Sequence, residues 1–306
     1  MAFDIIAIGE PMVELNQAHG EGFQQGFGGD TSNAMVAAAR SGARVAYFSR
    51  VGDDTFGRAL RQMWAAEGVD ASTVETDPRA PTGIYFVSHG AQGHEFSYLR
   101  AGSAASLMTT ESLPRAQIES ARILHVSGIS QAISASAADA VFAAIFMARA
   151  AGRLVSYDSN LRTKLWPLPR ARAVTHEAMR HCDIALPGLD DARQLTGRNE
   201  PDAIADFYLT LGAKVVALTL GAEGALVATP ERRARIASIK VDAVDATGAG
   251  DTFDGAFLAE YLHSGDAFAA GRYACAAAAL STRGYGAVGP VPWRAEVEAA
   301  LARESV

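Results

Sequence analysis

FGGDTSNAMVAAARSGARVAYFSRVGDDTFG, residues 27–57, holds a helix, a strand and the start of a second helix, and that order decides the fold. Residues 31–41 have helical composition and stop at Gly42, with Asp30, Thr31 or Ser32 available to cap the first turn. Residues 43–49, ARVAYFS, follow as a strand. A second helix spans 55–67, where Phe56, Leu60, Met63 and Trp64 recur at i, i+4, i+7 and i+8 before Gly68 ends it. Upstream, residues 3–8, FDIIAI, read as a buried strand. The alternation continues through elements at 123–127, 135–151, 154–158, 171–181, 183–186 and 215–220. Strands separated by helices of crossover length predict an α/β fold with a mostly parallel sheet. Residues 253–301 are mostly helical, with close-packing alanines at 274–279.

Two stretches interrupt the rhythm. Residues 12–16, and the pair 83–88 and 95–100 joined through Gly90 and Gly93, read as short strands outside a parallel core. They predict a small antiparallel sheet over one edge of the core, a lid built from segments near 11–27 and 82–101. No internal repeat or low-complexity linker divides the chain, so one domain over 1–306 is expected.

The composition restricts the function. With 27 basic against 34 acidic residues, a formal charge of −7 and no run of Lys or Arg, a nucleic-acid partner is disfavoured. The two cysteines, Cys182 and Cys275, have no metal-ligand or disulfide-framework spacing, which suits a reducing cytoplasm. The first residues have no basic start followed by an apolar stretch, and the apolar segment 135–151 carries Asp139 and Arg149, so a core helix is expected there and no membrane partner.

The segment VDATGAGDTFDGAFLAEYL, residues 244–262, carries the clearest chemistry. Gly248, Ala249 and Gly250 are small enough for backbone N–H groups to approach an anion, and Phe253, Phe257 and Tyr261 start a helix directly afterwards. Asp251 in the first turn would repel a phosphate unless it serves as a general base. The same letters also describe a glycine-rich turn before an acidic helix start, and local features alone do not choose between the two. Lys164, Lys214 and Lys240 follow Thr, Ala and Ile, so no Walker A loop exists. GYGAVG, residues 284–289, has the letters of a dinucleotide fingerprint, but a helix precedes it and Pro290 follows, which argues against NAD. His89 and His94 flank the hairpin loop and are expected in solvent, His125 lies on an apolar strand, and neither GxSxG nor HExxH occurs.

DATGAGDTFDGAF, residues 245–257, is similar to the C-terminal signature of the ribokinase-like, or PfkB-type, carbohydrate kinases, and residues 27–57 resemble their N-terminal signature. DSNLRTKLW (158–166) and TLGAEGAL (219–226) follow in family order, so the resemblance covers nearly the whole chain. It implies a three-layer α/β/α core with a small β-sheet lid that often makes a homodimer contact, sometimes within a higher homo-oligomer. FSYLRAGSAAS, residues 96–106, looks like the YxRxxSAAS segment of 2-keto-3-deoxygluconate kinases within that family. Strand periodicity puts Tyr98 and Arg100 on one face, and the planar Arg fork suits a carboxylate. An exposed strand with a solvated Arg is the alternative on local grounds.

The resemblance further implies that Gly29, Asn33, Tyr85 and Arg162 contact the sugar acid or the transferred phosphate. It places ATP against Thr219, Gly221, Gly224, Gly248, Gly250 and Ala276. Asp251 would be the base, aided by the backbone of Gly248, Ala249 and Gly250. Many relatives carry NxxE where this chain has GLDD (188–191), so Asp191 is the residue left for Mg²⁺ placement, and Asp245 with Thr247 resemble a monovalent-cation site for K⁺. The implied reaction is ATP-dependent phosphorylation of 2-dehydro-3-deoxy-D-gluconate to its 6-phosphate. A kinase of a neutral sugar or nucleoside, or a noncatalytic sugar-acid sensor on the same fold, are the alternatives.

Overall fold

The computed structural model describes residues 2–17, 22–90 and 93–304, and the side chains of His89 and His94 lie outside the described residues. A nine-stranded sheet runs in the order Arg233–Ile236, Ala225–Ala228, Val215–Thr219, Ile184–Leu186, Leu154–Asp158, Ile123–Ser127, Ile5–Ile8, Val45–Phe48, Val69–Asp70. All neighbours are parallel except around Ala225–Ala228, which is antiparallel to both flanking strands. Ile5–Ile8 pairs on both edges, with Ile5 opposite both Val45 and Ile123. Its four residues are all buried, as expected of a parallel strand covered on two faces.

Alternation along that strand divides the core in two. Ile5 and Ala7 pack on one face with Met35, Phe253, Phe257 and Ala274, from helices Asp30–Arg40, Ala249–Ser264 and Ala267–Ser281. Ile6 and Ile8 pack on the other with Val141, Ile145, Met179 and Tyr208, from helices Ala135–Ala150, Leu168–Met179 and Pro201–Leu211. The result is helix, sheet, helix in three layers. Among the described residues no helix is long and apolar enough to cross a membrane.

The lid is a four-stranded sheet in the order Gln24–Gly28, Met12–Asn16, Gly83–Gly90, Gly93–Leu99. Its central pair is parallel and its outer pairs antiparallel, which corrects the wholly antiparallel sheet expected. Gln24–Gly28 falls within the lid segment expected near 11–27 but was not singled out as a strand, because QQGFG has two glycines and no apolar alternation; it pairs along its whole length with Met12–Asn16. A further short pair, Arg50–Gly52 with Glu75–Asp77, was not foreseen.

Helix Asp30–Arg40 corrects the expected cap. Gly29, at φ +106°, precedes the helix, and no side chain caps it. The three candidates are buried and none caps the helix: Asp30 accepts from the adjacent Thr31 N (2.8 Å) and from Asn160 Nδ2 (3.1 Å), Thr31 Oγ1 lies 3.2 Å from the Tyr47 hydroxyl, and Ser32 Oγ accepts from Trp64 Nε1 (2.8 Å). The second helix, Thr55–Ala66, has a side-chain cap: Asp54 accepts from Gly57 N at 2.7 Å. GYGAVG follows helix Ala267–Ser281 as a loop, with Gly286 N donating to Asp245, so no dinucleotide geometry exists there. His125 is a core residue, 2.9 Å from Ser156 Oγ, and burial pushes its pKa down to about 4.

Candidate active site

A cleft of about 530 Å³ opens at the C-terminal ends of the central parallel strands, under the lid. The core contributes Gly29, Asp30, Asn33, Asp158, Arg162, Asp191, Thr219 and the turn Thr247–Asp251; the lid contributes Tyr85, Phe96, Tyr98 and Arg100. Every sugar-side residue singled out in the sequence is therefore in one cavity.

Asp251 is the third residue of helix Ala249–Ser264. Gly248 before it adopts φ +74°, and a Cβ there would lie 2.7 Å from that of Ala287, so this glycine is required by packing as well as by backbone conformation. Gly250 differs: a Cβ there meets nothing within 4 Å, so packing does not explain it. Among the described residues the backbone N–H groups of Gly250 and Asp251 have no partner, whereas that of Ala249 already donates to Ala246 O at 3.2 Å. Of the N–H groups expected to meet an anion at this helix N-terminus, those of Gly250 and Asp251 are open and that of Ala249 is already engaged.

Asn33 Nδ2 donates to Asp251 Oδ2 at 2.8 Å, while Asn33 Oδ1 is buried without a partner among the described residues. Asp251 has its pKa pushed up to about 7, chiefly by desolvation and then by the charge of Asp30; Asn33 and Arg162 act against the rise. A carboxylate poised there can take a proton from an alcohol that begins to bond to phosphorus. Asp158 and Asp254 are likewise raised, by burial and by neighbouring carboxylates. Sequence reading missed Asp30, Asp158, Asp254 and Glu10 as cleft residues. Asp158 sat inside a quoted motif, but only its convergence with Asp251 gives it meaning.

On the lid, Tyr85 and Tyr98 are direct cross-strand partners with rings 6.0 Å apart. Tyr85 donates its hydroxyl to Glu14. Arg100 lies just beyond the strand end, 5.7 Å from the Tyr98 ring centre, and its guanidinium is bonded to the buried Glu10. Arg100 is therefore not a solvated arginine: it is internally paired through one N–H group and still lines the cleft.

On the nucleotide side, Thr219 lines the cleft beside Gly188, whereas Gly221 and Gly224 form the turn below it. Gly224, at φ +103°, would place a Cβ 2.0 Å from Ile236 O, so the turn itself demands glycine. Ala276 is wholly buried in the core and is not among the residues lining the cleft. Asp191 lines the cleft, accepts from Leu161 N at 2.8 Å, and has its pKa raised by burial. Among the described residues no group of three acidic, His or Cys side chains could hold a metal alone. A single carboxylate at the edge of an anion-binding cleft fits a Mg²⁺ carried largely by nucleotide phosphates. Asp245 ties its own loop, with Oδ1 accepting from Thr247 N and Oγ1 and Oδ2 from Gly286 N.

The profile of the pfkB family carbohydrate kinases matches residues 2–294. A 2-dehydro-3-deoxygluconokinase of Thermoproteus tenax is 36% identical over 305 residues, 95% of this chain and 93% of that one. One from Bacillus subtilis (strain 168) is 36% identical over 263 residues, covering 83% and 81%. Among solved structures, a putative ribokinase II from E. coli in complex with ATP and Mg²⁺ superposes with a TM-score of 0.91 at 26% identity, covering 99% of this chain and all of that one.

Proposed function

This chain belongs to the pfkB family of carbohydrate kinases, with its ribokinase-like fold, and from that premise we propose that it transfers the γ-phosphoryl group of ATP to the 6-hydroxyl of 2-dehydro-3-deoxy-D-gluconate. One observation carries the reading: a single cleft holds both an aspartate of near-neutral pKa at a helix N-terminus and an arginine presented by the lid. The two relatives at 36% identity that bear this activity support the choice of substrate.

Asn33 orients the Asp251 carboxylate, which takes the proton of the primary hydroxyl as the oxygen attacks phosphorus. The unpartnered N–H groups of Gly250 and Asp251 face the charge that develops on the transferred group, and Arg162 adds a cation to the same wall. Asp191 is the carboxylate that would help hold a Mg²⁺ bound with the nucleotide, and that ion would offset the charge of the phosphates. Tyr85, Tyr98 and Arg100 close over the sugar acid, Arg100 offering its fork to the carboxylate. Water excluded by the lid cannot compete for the phosphoryl group.

A neutral hexose is the second reading, because a fructokinase-2 of Solanum habrochaites is also 31% identical over 311 residues. Coupled ADP release with 2-dehydro-3-deoxygluconate, its galacto epimer, gluconate, fructose and ribose side by side decides between the two. The sugar acid should show the highest kcat/KM; a higher value for fructose or ribose sinks the first reading, and binding without ADP release sinks both. The lid also leaves Phe23 and Leu99 48% and 63% exposed, which supports a homodimer through that sheet, to be checked by sedimentation.

A further inference from the structure

Arg100 does not stand free in the cleft. Its Nη2 donates to Oε2 of Glu10, and Oε1 of the same carboxylate accepts from the Ser103 hydroxyl at 2.6 Å. The Glu10 side chain has no exposed surface and that of Arg100 only 11%. Glu10 lies two residues beyond the central strand Ile5–Ile8, in the core, whereas Arg100 directly follows the lid strand Gly93–Leu99. The ion pair therefore spans core and lid, 90 residues apart in sequence.

The surroundings leave the carboxylate little freedom. Gly83 packs against it, since a Cβ there would fall 3.1 Å from Glu10 Oε1, and the Glu10 backbone is equally enclosed, since a Cβ on Gly29 would fall 2.3 Å from its carbonyl oxygen. Ser103 is itself held as the cap of the turn Ala104–Leu107. Arg100 Nε, by contrast, is buried with no partner among the described residues. Both Glu10 and Arg100 line the cleft.

We propose that Glu10 is a positioning residue, which holds the Arg100 guanidinium against the Tyr98 ring with N–H groups left over for a substrate carboxylate, and so sets the preference for sugar acids over neutral sugars. This rests on the sugar-acid reading above. A guanidinium has five N–H donors, of which the Glu10 bond uses one. Without a buried counter-charge an arginine this enclosed would be strongly disfavoured and would swing toward solvent, losing its fork geometry. Glu10 keeps it inside the cleft. The competing idea is that Glu10 masks Arg100 and must be displaced by substrate; that predicts tighter acid binding when Glu10 is neutralised.

The test compares wild type, Glu10→Ala, Glu10→Gln, Arg100→Ala and the Glu10→Ala/Arg100→Ala double variant. Each is checked for a cooperative melt, then assayed with 2-dehydro-3-deoxygluconate and fructose, with calorimetry for acid binding. Glu10→Ala should lower the acid-to-neutral kcat/KM ratio about 10-fold through KM rather than kcat, and should add nothing once Arg100 is gone. Glu10→Gln keeps the shape and an acceptor for Ser103 and should lower the ratio about 3-fold; it carries the test if the alanine variant does not fold. If Arg100→Ala collapses the ratio while Glu10→Gln leaves it unchanged or tightens acid binding, the role of Glu10 is overturned and the sugar-acid reading stands. If Arg100→Ala leaves the ratio unchanged, Arg100 does not read the substrate carboxylate and the role of Glu10 is overturned, whereas the sugar-acid reading falls only if wild type itself prefers fructose.

Discussion

Asp251 concentrates the chemistry in one titratable group. Replacing it by Asn should keep the hydrogen bond from Asn33 in part, preserve the fold and lower kcat by roughly 10²-fold or more, the scale for removing a general base; near-wild-type turnover in steady-state assays would remove Asp251 from its role. The base must be ionised to act, so kcat/KM for the wild type should fall as pH drops through about 7 and level off above it. Stability should run the other way. A carboxyl whose pKa rises from 3.8 unfolded to about 7 folded favours folding fully only when protonated in both states, and that contribution is lost as pH rises through 7. Asp251→Asn, permanently neutral, should therefore raise Tm more at pH 8 than at pH 4; an equal change at both values would contradict the burial argument. Asp251 was legible because its whole context lies within ten residues of sequence. Glu10, Asp30 and Asp158 were not, since Glu10 follows strand Ile5–Ile8, Asp30 begins helix Asp30–Arg40 and Asp158 ends strand Leu154–Asp158, and only the folded sheet brings them to one wall; Asp254, one turn beyond Asp251 in the same helix, lay inside the motif but has no local sign that it lines the cleft.

At the scale of elements, two glycines that look alike in sequence separate by what surrounds them. Gly250 has open space around its missing side chain, so Gly250→Val should fold normally and block anion approach, lowering kcat far more than it weakens sugar-acid binding. Loss of sugar affinity with unchanged ATP handling would contradict this. Gly224 is closed in by Ile236 O and sits at φ +103°, so Gly224→Ala should lower Tm by several degrees, the consequence of a destabilisation of about 1–3 kcal/mol. A rise in KM for ATP at unchanged Tm would return Gly224 to the nucleotide site. The alternating helices and strands were legible because apolar periodicity records them directly: Ile123–Ser127 and Leu154–Asp158 fall where expected. Gln24–Gly28 was not, because a lid strand whose one apolar side chain in contact with the core is Phe27 leaves no alternating pattern to read.

For the whole molecule, selectivity belongs to the meeting of lid and core. Arg100→Ala should cost about 1.5–3 kcal/mol of acid binding, roughly 10-fold to 150-fold in KM where KM tracks affinity, with lysine rescuing only in part. Equal losses for acidic and neutral sugars would mean that Arg100 serves the lid or the nucleotide instead. The partnership with Glu10 could not be read from the sequence, because a contact across 90 residues has no local signature. The position of Ile5–Ile8 in the middle of the sheet also bears on how the chain is made. One edge of that strand can pair once Val45–Phe48 has left the ribosome, but the other waits for Ile123–Ser127. At 5–20 residues per second the interval is about 4–16 s, during which a wholly apolar strand edge has no partner. Slowing translation between codons 50 and 120 should therefore increase aggregation of the nascent chain and its dependence on chaperones.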